Sequence, residues 1–81
     1  MNRQEKFDKL IERMELPENM ARRNPTVFSE ADTTIAQNVA DMRHYLTALN
    51  DTSRSDTYVT EKQFDKKYDE VVRILDEQGW A

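Results

Sequence analysis

Eighty-one residues allow a single domain, and with 37% apolar against 35% charged residues its core must be economical, so that a partner or a second copy would add burial a short chain lacks. The absence of cysteine excludes disulfides and thiolate metal sites and suits a reducing cytoplasm, and no apolar run approaches the roughly 20 residues of a membrane span. The net charge of −4 runs from +1 over residues 1–24 through −2 over 25–50 to −3 over 51–81, a mild gradient with no basic patch to attract nucleic acid or an anionic membrane.

The opening Met1-Asn2-Arg3-Gln4-Glu5 leads into no apolar stretch, so no signal peptide is expected and the chain reads as starting at its own methionine. Phe7, Leu10, Ile11 and Met14 share one face at helical spacing, which predicts a helix over about 3–15. Pro17 then permits a short turn over 18–23 before Asn24-Pro25 breaks it.

Ile35, Val39, Met42, Leu46 and Leu49 hold a 4-3-4-3 spacing, with Phe28 one heptad upstream of Ile35. Ser29 as N-cap and Glu30 and Asp32 in the first turn predict a helix over 29–50. The polar run 51–58 is expected to be a connecting loop.

Thr60-Glu61-Lys62-Gln63 has the pattern of a capping box, with Val59 and Phe64 placed as a hydrophobic staple. Phe64, Tyr68, Val71 and Leu75 continue one face at 4-3-4 spacing, and Val72 and Ile74 widen it. Gly79 stands where a left-handed residue ends a helix, and Trp80 would then pack on Leu75. These signals predict a helix over 61–78. The expected fold is all-α: a small three-helix bundle in which the central and last helices form an antiparallel hairpin crossed by the N-terminal helix. Two such hairpins could instead pair as a dimeric bundle.

Few residues carry chemistry. With Asp51 at position 1 of a calcium loop, position 6 is Asp56 instead of glycine and position 12 is Lys62 instead of glutamate, an ammonium where the strongest ligand belongs. His44, the single histidine, has no ligand companions or nucleophile at a useful spacing and reads as a surface residue opposite the apolar seam, beside Asp41. One glycine leaves no phosphate-cradling loop. No metal, cofactor or catalytic residue is expected, and an enzyme is disfavoured because so small a helical protein has little room for a desolvated cleft.

Partner binding remains, and three surfaces are candidates. Glu61, Asp65 and Asp69 stack at i, i+4, i+8 on one edge of the last helix, an acidic edge suited to a basic partner. The neighbouring edge offers compensating pairs such as Lys66–Glu70 and Arg73–Glu77. Arg13, Arg22 and Arg23 flank Met14, Leu16 and Met20, an arginine–methionine patch of interface composition. Ile74, in the wide late arc of the last helix, and Trp80, if exposed, complete the set.

The first expectation is a non-catalytic interaction module, a helical adaptor or inhibitor docking on a larger protein. Its size and style suit small accessory proteins, including those of bacteriophages. The second is an assembly component acting as a homo-oligomer, and nucleic-acid binding is a disfavoured third.

Overall fold

The computed structural model of the protein describes residues 2–20, 30–50 and 57–81. Arg22, Arg23, Asn24-Pro25, Phe28, Ser29 and the loop 51–56 lie outside these residues.

Among the described residues four helices follow one another: α1 (Arg3–Met14), α2 (Pro17–Met20), α3 (Glu30–Leu49) and α4 (Thr57–Glu77). Among the described residues there is no strand. α3 and α4 pack as a hairpin, and α1 lies across it, so the architecture is a small all-α bundle.

α1 starts at a reciprocal cap. Asn2 Oδ1 accepts the Glu5 N–H at 2.8 Å, while Asn2 Nδ2 donates to Glu5 Oε1 at 3.1 Å. This satisfies one of the donors a helix start leaves free. Glu15 closes the helix, and Pro17 opens α2, where its missing N–H is not needed.

The capping box expected at Thr60 is not formed. α4 begins at Thr57, one turn earlier, and takes 57 and 58 out of the expected loop. Thr60 is buried inside the helix, and Val59 is exposed instead of stapled to Phe64. The reason is packing: Thr60 lies one turn before Phe64 on the same stripe, so burying it extends the contact with the rest of the fold. A helix-interior threonine costs only a few tenths of a kcal/mol in propensity, about 0.7 at most. The putting of Lys62 on a helix also removes the second half of the calcium-loop alignment.

The other end of α4 closes as a Schellman motif. Gly79 has φ 75°, the left-handed conformation that a side chain would strain. Trp80 N–H donates to the Leu75 carbonyl at 3.0 Å and Gly79 N–H to that of Asp76 at 3.1 Å.

The core draws Phe7, Leu10 and Met14 from α1, Ile35, Met42 and Leu46 from α3, and Phe64, Val71, Ile74 and Leu75 from α4. Phe64 and Tyr68 stack with centroids 6.4 Å apart. Asn38 is buried on the same α3 stripe as Ile35, Met42 and Leu46. Among the described residues, no buried side-chain nitrogen or oxygen lacks a hydrogen-bond partner.

Candidate functional site

Much of the charge expected to face a partner is engaged within the chain. Arg3 on α1 forks onto Asp65 of α4, Nε to Oδ1 and Nη2 to Oδ2, both 2.9 Å, and lies 3.6 Å from Glu61. Two of the three acids of the predicted edge thus serve to dock α1 on α4. Asp69 is exposed and has no partner among the described residues.

The hydrogen bonds from Arg3, ahead of its charge, hold the Asp65 carboxyl below its ordinary value, against the opposing effect of burial. A carboxyl depressed on folding adds stability that is complete above its unfolded pKa of about 3.9 and is lost as pH falls through the folded value. Asp65→Asn is therefore expected to be less stable than the wild type near neutral pH, by under about 1 kcal/mol because the pair is part-exposed. Denaturant midpoints should converge once the pH has fallen below the depressed folded-state value. A gap that persists in acid would mean that the asparagine disturbs packing and that the ion pair contributes nothing.

Arg13 is likewise turned inward. Its Nη2 lies 2.7 Å from Asp76 Oδ1 and 3.1 Å from the Trp80 main-chain oxygen, and its Nε donates to the Ala81 main-chain oxygen at 2.8 Å. Asn19 completes this clasp. Its Oδ1 accepts the Ala81 N–H at 2.9 Å, and its Nδ2 donates to the Arg13 carbonyl at 2.6 Å and lies 3.4 Å from the Ala81 oxygen. A one-turn helix carries this fully buried asparagine, a residue that sequence reasoning passed over because four residues show no periodicity.

Of the arginine–methionine patch, then, Arg13 is a structural clasp, Arg22 and Arg23 lie outside the described residues, and Met20 is exposed with its neighbour Leu16. Ile74 is a core residue, 8% exposed. The wide arc of α4 is wide because it meets both α1 and α3. Trp80 packs against the core at half-burial.

On the remaining edge Arg73 bridges both Glu70 (2.8 Å) and Glu77 (2.9 Å), so Glu70 pairs with Arg73 instead of Lys66. Lys67 reaches across the hairpin to Asp41 at 3.5 Å. His44 is exposed, its ring 6.0 Å from that of Tyr45. Among the described residues no three His, Asp or Glu side chains gather as a metal set, and no helix is long and apolar enough to cross a membrane.

A concave surface lies among the described residues: a groove of about 550 Å³ between α1 and α3, lined also by Trp80. Its walls are apolar, with Ile11 and Met14 on one side and Ile35, Ala36, Val39 and Ala40 on the other. Its rim is charged. Glu15, the C-cap of α1, and Asp32, in the first turn of α3, mark one end. Arg43 stands toward the other, its guanidinium carbon 5.1 Å from the centroid of the Phe7 ring. A cation at that distance over a ring face is attracted to it. Apolar walls with a charged rim are the composition of a docking surface for another chain. The signal was present in the sequence: Ala36 and Ala40 sit one turn apart beside the Ile35–Val39 seam and broaden the apolar arc of α3 beyond what α4 alone covers.

No protein-family model, curated protein or solved structure matches the chain. Its class is therefore defined by its own geometry: a small helical bundle with an open, charge-rimmed apolar groove.

Proposed function

We propose that the protein is a non-catalytic protein–protein interaction module and that the α1–α3 groove is its docking surface. The observation that carries this reading is the groove itself, an apolar trough left open in a chain with few apolar residues. As an adaptor or inhibitor, the protein would take a ridge of side chains from a larger protein there. The assembly reading, in which the occupant is another copy, is favoured by the arrangement of the rim charges. Nucleic-acid binding finds little support, because Arg3, Arg13, Lys67 and Arg73 each sit against a carboxylate.

The test is capture from nuclease-treated lysate of the native host, using the tagged wild type and Ala40→Glu as paired baits. Ala40 is exposed, so the substitution should leave the helix intact while putting a charge into the trough. A stoichiometric protein held by the wild type and lost by the variant supports the reading. A partner held equally by both removes the groove from it, and salt-sensitive recovery of DNA or RNA by both would replace it with nucleic-acid binding.

A further inference from the structure

We infer that the occupant of the groove is a second copy of this chain, seated about a two-fold axis so that Arg43 of each copy meets the Glu15 end of the other. This rests on the interaction-module reading and names its partner.

The groove is electrically lopsided along its length. Arg43 lies over Phe7 near the start of α1, whereas Glu15 caps the end of that helix. Eight residues of helix separate Phe7 from Glu15, about 12 Å at about 1.5 Å per residue. Neither Arg43 nor Glu15 has an ion-pair partner among the described residues. The ion pairs that tie α1 to α4 and α3 to α4 are those of Arg3, Arg13 and Lys67, and they engage neither Arg43 nor Glu15. So the face that no other helix covers, among the described residues, keeps a base at one end and an acid at the other.

The charge pattern of this surface is its own complement. In an isologous two-fold pair, residue i of one copy meets residue j of the other, and j meets i. Antiparallel apposition of the two α3 helices, with Ala36 of each facing Ala40 of the other, brings each Arg43 to the level of Thr33 of the second copy, at the end that carries Glu15. Both apolar walls close on each other, and both charged ends find opposite charge. A parallel arrangement would set Arg43 beside Arg43 and acid beside acid, and like-charge juxtaposition disfavours it. The stacking of Arg43 on Phe7 lowers the entropy lost on pairing, since the guanidinium is already held in place.

Sedimentation equilibrium over a concentration series reads the result directly. The wild type should reach twice the chain mass of 9.6 kDa. Each of Glu15→Arg and Arg43→Glu alone should raise the dimer dissociation constant by about a hundredfold or more, because the symmetry introduces every repulsion twice. The double variant, with the charges exchanged, should return to within about tenfold of the wild type. Far-ultraviolet circular dichroism on each variant ensures that a lost dimer is not lost helix, and Ala40→Glu supplies a second route to the same monomer. A dimer indifferent to both reversals overturns the groove as its seat. A wild type that stays monomeric at every concentration overturns the inference, and if Ala40→Glu still releases a captured protein in that case, the interaction-module reading survives without it.

Discussion

Phe64→Ala is expected to destabilise the protein by about 3–5 kcal/mol, the range for truncating a fully buried phenylalanine. Phe64 has no exposed surface, stacks on Tyr68 and belongs to a core assembled from three helices. Removing the ring leaves a void that rigid helices cannot close. A domain of this size has a total stability of about 4–12 kcal/mol, at about 0.05–0.15 kcal/mol per residue, so the variant should be close to unfolding. Its thermal midpoint, read by circular dichroism, should fall by at least about 12 °C, taking about 4 °C per kcal/mol as the lower bound. A fall of only a few degrees would mean that α1, α3 and α4 do not close on this ring.

The second large effect is expected at Asn19. Its carboxamide accepts one main-chain N–H and donates to the Arg13 carbonyl in a fully buried position. Asn19→Ala takes the side-chain acceptor from the Ala81 N–H and leaves the Arg13 carbonyl with the longer bond from the Leu16 N–H at 3.3 Å. The cost should be about 1–3 kcal/mol, the penalty for a buried polar group deprived of its partner, toward the lower end because Ala81 is reached by water. Asn19→Asp should lose stability as well, because a carboxylate cannot donate to the Arg13 carbonyl. Chemical denaturation of both variants against the wild type measures this. The emission of Trp80, the single tryptophan, should shift toward longer wavelength in the native state of Asn19→Ala as the clasp beside it loosens. Wild-type midpoints in both variants would show that Arg13 alone holds residues 80 and 81.

How far the fold was legible in the sequence depended on whether the responsible signal was local. Phe64, Val71 and Leu75 lie in the core, as their spacing predicts, because a repeating face is visible within one helix. Gly79-Trp80 ends α4 as expected, since a Schellman motif is built within six residues. Thr60 failed because two local rules competed, and burial on the Phe64 stripe outweighed a cap. Ile74 failed for a related reason: a wide apolar arc marks either an interface or a helix with two neighbours, and hydropathy does not distinguish them.

The site was less legible than the fold. Glu61, Asp65 and Arg13 looked free because their partners lie 58 to 68 positions away, beyond any periodicity. Arg43 was passed over as the one arginine of α3, where the other charges are Glu30, Asp32 and Asp41, and its meaning depends on Phe7 lying beneath it. Charge patterning along one helix describes what that helix offers, and only the assembled bundle determines what remains on offer.

The bonds from Arg3 and Arg13 also have a temporal consequence. Each spans more than sixty residues of sequence, whereas α3 and α4 are joined by a short connection. Closing a long loop costs more chain entropy than closing a short one, and distant pairings are rewarded only after that cost has been met. The hairpin is thus the early cooperative unit, and α1 is the late one, arriving on a surface already formed and fastening it at both ends. Local opening should begin where assembly finished, with α1 lifting away first. The same lifting would dismantle one wall of the groove, so the docking surface persists only as long as the first helix stays down.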